Sequence, residues 1–376
     1  MGLRVELIED EKGLAPFVAE WDALAVARAR PYCAPAWQLA WWRHARPPSA
    51  LLRAVIVLDQ GRLVGIVPLY CKRQSLGGWE WALLGSSIAS GIEPVAEVGM
   101  EEVVAGVIAE KLAWIEPLPR LLRLSQISAE SPWPTLVRDA WPGRPAFLVR
   151  ERFARAPTVT LDANDLDDWL AAKSRNFRSQ MRRARRALEQ QGARFRIATA
   201  EDLERDLAAF VRLHHARWDW RGGTVALPPG MDRALEEAAR TLAPKGRLRL
   251  SSIDVGDRTI GSLLCLAAGG EVSYWNGGFD DAFAKFHPGL VGLVEAIGYA
   301  LAAGDSRFDL GPGDQQYKVR LADGADWLVT ATVAPKSVRT SADAVLRRGR
   351  RALASRLTPE QKKRLRRVLE RVHLLA

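Results

Sequence analysis

The sequence predicts a mixed α/β (α+β) fold made of two similar units, each a mixed, mostly antiparallel sheet flanked by helices. Segments with strand patterning alternate along the chain with segments whose apolar residues recur at helical spacing. Two hairpin sequences, 51–70 and 247–266, share three residue pairs at one offset of 196 positions: Arg53/Arg249, Arg62/Arg258 and Gly65/Gly261. A helix precedes each hairpin and a strand–helix–strand pattern follows it, so we expect an internal duplication.

The composition indicates a soluble globular chain with room for two cores. Its 376 residues are 48% hydrophobic and 26% charged, which is typical of such proteins. The net charge of +10 comes from the tail, because residues 336–376 hold 13 Lys and Arg against three acids, whereas residues 1–335 hold 41 of each sign. This distribution argues against nucleic-acid binding by the body of the protein.

The cysteines and the N-terminus predict a cytoplasmic protein. Cys33, Cys71 and Cys265 are isolated in apolar surroundings, so we expect buried thiols and neither a disulfide nor a metal site. The opening MGLRVELIEDEKG is too acidic and too short in its apolar run for a signal peptide. No apolar run is long enough to span a bilayer. The basic tail leaves open a peripheral position at the inner membrane surface.

In the first 150 residues, the patterns predict an edge strand, two helices, a hairpin turning at 59–62, and then strand, helix, strand and short helix. The predicted strands are 3–8, 51–58, 63–71, 79–84 and 121–127, and the predicted helices are 17–29, 36–44, 101–114 and 133–141.

Residues 147–267 predict an extended segment, three helices and a second hairpin. The extended segment is 147–161 and leads to 166–171, the strands are 195–198, 248–255 and 259–267, and the helices are 175–191, 201–218 and 231–242. Gly192 should end the basic helix, and residues 221–230 read as a Gly/Pro-rich loop.

Residues 271–310 contain the strongest functional signal. Residues 271–276 predict a strand that Gly277-Gly278 should break into a loop. A helix follows, with apolar residues at helical spacing from Leu290, and Gly304 stands where a C-terminal glycine is expected. A second strand is predicted at 307–310.

The start of that helix is a candidate phosphate site. Its backbone N–H groups lack intrahelical acceptors and lie at the positive end of the helix dipole. Gly289 and Gly292 would let a ligand approach the backbone, and Lys285 adds a cation. An ordinary loop with a Pro-Gly turn is the alternative.

An ordered set of residues is similar to a known family. The set comprises Tyr274, Pro288-Gly289, Gly304, Phe308-Asp309-Leu310-Gly311, Asp314 and Tyr317-Lys318, with Ser174-Arg175-Asn176-Phe177 and Leu213–Trp218 upstream. In these the chain resembles the cellulose-biosynthesis-associated (CelD-type) acetyltransferases of the GNAT superfamily, which are similar to the Fem-type aminoacyltransferases. The resemblance covers residues 150–335 well and 1–150 loosely. It implies a degenerate GNAT-like domain at 1–150, an acyltransferase domain at 151–335 and a basic helical extension at 336–376.

The resemblance also implies transfer of an acyl group, from acetyl-CoA or another acyl-CoA, to an amine. The acceptor would be an amino sugar or glycan precursor in cellulose or exopolysaccharide biosynthesis. Coenzyme A would lie where the strands at 271–276 and 307–310 part, and a backbone N–H of the parted strand would polarise the thioester carbonyl. The expected cofactor-binding residues are Asn276, Lys285, Pro288, Gly289, Leu290, Val291 and Gly292.

Three residues are candidates for catalysis. His287 has a suitable ordinary pKa for a general base, and Asp309 would face the cleft from a strand end. The phenol of Tyr317 could protonate the departing thiolate. The structural alternatives are a histidine capping a loop, a carboxylate bonding the glycine turn, and a strand-end residue.

Six residues are candidates for substrate binding: Arg178, Arg182, His214, Trp218, Tyr274 and Lys318. The arginines belong to a helix whose buried stripe is predicted as Phe177, Met181, Ala184 and Leu188. Its like charges repel, so an anion should offset them: an acidic acceptor, a lipid head group, tRNA, or carboxylates of the fold itself. For His214, a core position is the alternative to a place in the site.

Two other functions stay open from the sequence. One is a Fem-type transferase that uses aminoacyl-tRNA. The other is a non-catalytic GNAT scaffold that docks to a membrane glycan synthase through its tail. There, Thr358–Gln361 forms a capping box ahead of a basic amphipathic helix that suits a membrane surface or an acidic partner, or packs on the body.

Overall fold

One continuous sheet runs through the protein. The computed structural model describes residues 2–74, 78–117, 120–143, 145–218 and 226–336. Its strands are β1 Leu3–Ile8, β2 Leu51–Asp59, β3 Arg62–Arg73, β4 Trp79–Leu83, β5 Val95–Ala96, β6 Arg120–Ser128, β7 Ala146–Thr160, β8 Ala193–Ile197, β9 Leu248–Val255, β10 Arg258–Ala268, β11 Glu271–Phe279, β12 Arg307–Asp309 and β13 Gly324–Pro335.

Helices flank this sheet. They are α1 Glu11–Leu14, α2 Val18–Ala27, α3 Pro35–Ala45, α4 Glu101–Trp114, α5 Trp133–Asp139, α6 Leu166–Ala171, α7 Arg175–Gln190, α8 Leu203–Trp218, α9 Met231–Leu242, α10 Pro288–Ala302 and α11 Gln316–Leu321. Short 3-10 helices lie at Ala15–Phe17, Pro31–Cys33 and Asp281–Phe286. The predicted α/β class, a mixed sheet with flanking helices, is confirmed. None of the described helices is long and apolar enough to cross a membrane.

The strand order supports the predicted duplication. The order is β1-β2-β3-β4-β6-β13-β7-β12-β11-β10-β9-β8, with β5 paired to β3. β4 and β6 are parallel and α4 connects them, just as β11 and β12 are parallel and α10 connects them. We call the part from β1 to α5 the N-terminal lobe and the part from β7 to β13 the C-terminal lobe.

The last strand crosses between the lobes. β13 pairs with β7 from Gly324–Thr158 to Pro335–Ala146, and on its other edge it pairs with β6 of the N-terminal lobe. Neither β13 nor α11 was predicted from the sequence. Because β13 lies between strands of both lobes, the lobes share one hydrogen-bonded sheet.

Helix α7 shows how sequence pattern becomes packing. Ser174 caps its start by accepting the Phe177 N–H. The predicted stripe of Phe177, Met181, Ala184 and Leu188 is buried, and it packs beside α10 and β8. The intervening arginines stay at the surface, so α7 presents a basic face to solvent.

The helix predicted at 17–29 is present as α2, which begins at Val18 directly after the 3-10 turn that contains Pro16. One local prediction was wrong. Gly277-Gly278 does not break β11, which continues to Phe279 because both glycines pair with β10. The tail helix and positions 221–225 of the predicted loop lie outside the described residues.

Gly278 lets helix α8 approach β11. A Cβ built on Gly278 would lie 2.5 Å from the carbonyl carbon of Leu213 and 2.7 Å from the amide nitrogen of His214. Both contacts are to helix backbone, which cannot rotate away. Gly278 is therefore required by packing.

We expect Gly278→Ala to lower the free energy of unfolding by about 1–3 kcal/mol, because α8 must move away from the sheet. The matched control is Gly106→Ala in α4, where an added Cβ meets nothing within 4 Å and should raise the stability by ~1 kcal/mol. Urea denaturation measures both. Equal effects of the two substitutions would contradict this account.

Candidate active site

The site begins where β11 and β12 part. Their ladder contains three pairs and ends at Ser273–Asp309. β11 continues for six more residues along β10, with an irregularity at Trp275, because Leu264 pairs with Asn276 whereas Cys265 pairs with Tyr274. The predicted parting of the two strands is thus present from Tyr274 onward.

A cavity of about 420 Å³ lies at the start of α10. We call it the α10 cavity. Its walls come from β9, β10, β11, α7, α8, α10, α11 and the 3-10 helix at Asp281–Phe286. The lining residues include Gln180, Arg217, Ile253, Leu263, Tyr274, Gly277, Phe279, His287, Pro288, Gly289, Leu290, Gly292, Tyr317 and Arg320. No Asp or Glu is among the described lining residues.

His287 turns the chain into α10. Its backbone is left-handed (φ 54°), and its carbonyl accepts the N–H groups of Leu290 and Val291 at 3.0 and 3.1 Å. Among the described residues, none accepts the N–H of Gly289. The first turn therefore presents a backbone donor at the cavity wall, where the helix dipole favours an anion.

Only some of the predicted cofactor-binding residues line the α10 cavity. Pro288, Gly289, Leu290 and Gly292 line the α10 cavity, whereas Asn276 does not. The side chain of Val291 is buried in the core. The Lys285 ammonium lies 4.9 Å from the Phe286 ring centroid, and Lys285 does not line this cavity. Cofactor binding by these residues stays a prediction.

A second cavity, of about 450 Å³, lies between the lobes. We call it the inter-lobe cavity. It is lined by Tyr32, Ser87, Ile88, Ala89, Ser90, Gln126, Phe153, Arg217, Ala226, Tyr274, Trp275, Asn276, Gly277, Gly311, Pro312, Gln315, Tyr317 and Lys318. Four residues line both cavities: Arg217, Tyr274, Gly277 and Tyr317. The two cavities therefore adjoin at the parted end of β11.

The two tyrosines at this junction are proton donors. Burial raises the pKa of Tyr274, the neighbouring Tyr317 raises it further, and Arg217 lowers it in part. Burial also raises the pKa of Tyr317, against the opposing effect of Arg217. Both phenols therefore keep their protons at neutral pH and can donate them in hydrogen bonds.

A turn after β12 fixes the far wall. The carboxylate of Asp309 accepts the Gly311 N–H at 2.8 Å, and burial raises its pKa. Asp309 lines neither cavity. Its observed contact is the one expected of a carboxylate that bonds to the glycine turn. Its predicted catalytic role is untested.

Lys318 supports the same turn from helix α11. It is 4% exposed, and its Nζ donates to the carbonyls of Gly311 and Pro312 at 3.2 and 3.0 Å. The Nζ also lies 5.7 Å from the Tyr274 ring centroid. Burial lowers the pKa of Lys318 to about 8, although Asp309 opposes the shift. Tyr317-Lys318 thus lies on a helix and not at a strand end.

The other predicted site residues are dispersed. His287 is exposed and lines the α10 cavity, whereas His214 is fully buried beside Phe210 and lines neither cavity. Arg178 donates to the carbonyls of Ala171 and Lys173, each at 2.7 Å, and Arg182 is exposed on α7. The side chain of Trp218 lies outside the described residues.

Sequence reasoning missed several lining residues. Tyr32, Gln126 and Phe153 come from the N-terminal lobe and from β7, far along the chain from β11. Arg217 was noted only as part of a motif. One local feature could not be read from the pattern: Gln126 has a left-handed backbone (φ 55°) within β6. Among the described residues, no cluster of His, Cys, Asp and Glu could hold a metal ion.

A family model matches part of the C-terminal lobe. Residues 175–319 match the model described as an acetyltransferase (GNAT) domain. This match supports the acyltransferase class that the sequence predicted. Membership of the CelD-type group is not shown. No curated protein matches the chain.

Solved structures share the whole fold at low identity. FemX has a TM-score of 0.61 at 13% identity, and the match covers 88% of this chain and 97% of that one. L-PGS from Bacillus licheniformis has a TM-score of 0.53 at 12% identity, over 90% of this chain and 96% of that one. A conserved protein of unknown function from Bacteroides thetaiotaomicron VPI-5482 has a TM-score of 0.52 at 9% identity, over 89% of this chain and all of the other. At these identities, the similarities show the fold alone.

The buried lysine predicts a specific pH dependence of stability. The pKa of Lys318 is about 8 in the folded protein and 10.5 ordinarily, so between these values the unfolded chain binds the extra proton. The free energy of unfolding should therefore rise with pH in this window, by at most about 1.4 kcal/mol per pH unit from this group. Lys318→Met should lack this rise in the free energy of unfolding. Urea denaturation at several pH values from 7 to 10 measures it.

The control for this measurement is Lys12→Met, which removes an exposed lysine and should keep the wild-type dependence. If Lys318→Met also keeps it, Lys318 does not titrate as its burial implies.

Proposed function

We propose that the protein is an acyl-CoA-dependent N-acyltransferase that moves an acetyl group from acetyl-CoA to the amine of an amino sugar or glycan precursor. The observation that supports this proposal is the pair of cavities in a GNAT-type domain, which adjoin at Arg217, Tyr274, Gly277 and Tyr317. A donor and an acceptor can thus enter from different sides and meet at one point.

The α10 cavity suits the donor. The N–H of Gly289 and the positive end of the α10 dipole favour a pyrophosphate there. A Cβ on Gly289 would lie 3.2 Å from a ring carbon of Phe279, so glycine keeps this wall open. The apolar side chains of Ile253, Leu263 and Leu290 suit the pantetheine arm.

The inter-lobe cavity suits a sugar. Aromatic side chains in its wall, such as Phe153 and Trp275, can stack on a ring face. Hydroxyl and amide groups, such as those of Ser90, Gln126 and Asn276, can bond to sugar hydroxyls. A role in cellulose or exopolysaccharide biosynthesis rests on the resemblance of the sequence to CelD-type enzymes.

The residues at the junction supply the chemistry. Bound acetyl-CoA provides the acyl group as a thioester. Beyond Ser273, the edge of β11 that faced β12 is free of that partner, so its backbone N–H groups can stabilise charge on the thioester oxygen. Tyr317 lines both cavities and is protonated at neutral pH, so we infer that its hydroxyl protonates the thiolate as the carbon–sulfur bond breaks, and that the phenolate then regains a proton from solvent. No Asp, Glu or His is among the described residues of the inter-lobe cavity, so we infer that the amine loses its proton to water.

A second candidate is transfer from aminoacyl-tRNA. The exposed face of α7 favours it, because none of Arg175, Arg182 and Arg186 forms an ion pair with a described carboxylate. Such a face can bind a phosphate backbone.

We expect acetyl-CoA to raise the melting temperature of the wild-type protein, and Gly289→Val to abolish this shift because the added methyl groups narrow the α10 cavity. Differential scanning fluorimetry measures the shift. The control is Gly106→Val, another helical glycine, which should keep it. If aminoacyl-tRNA stabilises the protein and acetyl-CoA does not, the second candidate replaces the first.

Tyr317→Phe tests the proton donor. The ring remains and only the hydroxyl is lost, so kcat should fall by about 10²-fold while both KM values stay within about twofold. Steady-state kinetics with acetyl-CoA and an amino-sugar acceptor measures this. Tyr299→Phe, which alters a partly exposed tyrosine on α10, should leave kcat unchanged. An unchanged kcat for Tyr317→Phe would remove that residue from the mechanism.

A further inference from the structure

We propose that the mouth of the inter-lobe cavity at Phe153, together with Arg152 and Arg155 beside it on β7, binds a phosphate or carboxylate group on the acceptor. The ligand would be a sugar-like amine with an acidic substituent. This inference rests on the proposed function, because it takes the inter-lobe cavity as the acceptor site.

A β-bulge places Phe153 at the mouth. Ala154 pairs with Leu328 and Arg152 pairs with Val329, so Phe153 has no partner residue on β13. A bulge redirects the side chain of the extra residue. Phe153 lines the inter-lobe cavity and remains 51% exposed, which gives an open ring face at the entrance.

Two arginines flank that ring and share one tryptophan. The guanidinium carbons of Arg152 and Arg155 lie 4.7 and 5.8 Å from the Trp327 ring centroid. Contact with the same indole restricts the positions of both guanidinium groups. Neither arginine forms an ion pair with a described carboxylate. Two adjacent cations repel each other, and an anion between them would offset that repulsion.

Backbone contacts join this group to the cavity wall. The carbonyl of Arg155 accepts the Gly313 N–H at 2.7 Å, and Gly313 follows Pro312, which lines the cavity. Arg152 and Arg155 are within two residues of Phe153, so their Cα atoms lie within about 7 Å of it along the strand. We infer that both long side chains extend far enough to contact a ligand that stacks on Phe153.

The charge of the cavity itself favours an anionic acceptor. Arg217 and Lys318 line it, and no Asp or Glu does so among its described residues. A polycationic amine would meet only like charge there. The planar guanidinium group of arginine can form paired hydrogen bonds with either phosphate or carboxylate. The arginines therefore favour an anionic group, and the experiment distinguishes phosphate from carboxylate.

The test is isothermal titration calorimetry of the full chain, without donor, using three probes: D-glucosamine, D-glucosamine 6-phosphate and 2-amino-2-deoxy-D-glucuronic acid. We expect at least one acidic probe to bind the wild type about tenfold more tightly than D-glucosamine. The probe that gains shows whether the favoured group is phosphate or carboxylate. The advantage should decrease as the salt concentration rises.

Variants assign the effect to the mouth. In R152Q/R155Q, the acidic probe should bind within about twofold of D-glucosamine. The control is Arg73→Gln. Arg73 is exposed on β3, which lies four strands from β7 in the sheet and is therefore about 19 Å away. In this variant the advantage of the acidic probe should persist. Phe153→Ala should weaken all three probes, and Phe153→Tyr should restore them.

The proposal is overturned if no acidic probe binds more tightly than D-glucosamine, or if the advantage survives in R152Q/R155Q. An unchanged melting temperature of that variant excludes misfolding as the cause of a lost advantage. Failure of the proposed function would appear separately, as absent stabilisation by acetyl-CoA.

Discussion

The whole site depends on the early end of the ladder between β11 and β12. β12 stops after three residues because the chain turns at Gly311, whose backbone is left-handed (φ 74°). Asp309 holds the turn through the Gly311 N–H, and Lys318 holds it through two carbonyls. β11 continues because its other edge stays paired with β10. One strand thus ends while its neighbour goes on, and both cavities open at the resulting gap.

The N-terminal lobe contributes to the site even though its own ligand loop is not recognisable in sequence. The loop between β4 and β5 reaches β11, where the indole N–H of Trp275 donates to the Ile88 carbonyl at 2.8 Å. The same loop is tied to β6, since Gly91 donates to the carbonyl of Gln126. Gln126 itself has a left-handed backbone. Such a conformation at a residue other than glycine costs about 1–3 kcal/mol and tends to occur at functional sites. The N-terminal lobe therefore provides one wall of a shared cavity, and β13 keeps that wall in register with the C-terminal lobe.

The polar side chains of the site include protonated phenols, which donate hydrogen bonds, and cations. Buried phenols at Tyr274 and Tyr317 hold their protons, and the lining of both cavities contains cations but no described carboxylate. Such a site stabilises developing negative charge and attracts anionic ligands. It is less suited to removing a proton from an ammonium group, which agrees with assigning that step to water.

The sequence by itself determined the local elements. The buried stripe of α7, both hairpins and the start of α10 follow from short-range periodicity, capping residues and turns, because these depend on neighbours a few positions away. The family resemblance added the acyltransferase class. Only the tertiary structure decided what long-range pairing controls. The tertiary structure shows that β11 continues through Gly277-Gly278, that β13 lies between the lobes and that Phe153 lines the inter-lobe cavity. β13 pairs with residues of β7 more than 150 positions away, and the approach of α8 to Gly278 spans more than 60 positions, so no local pattern records either contact.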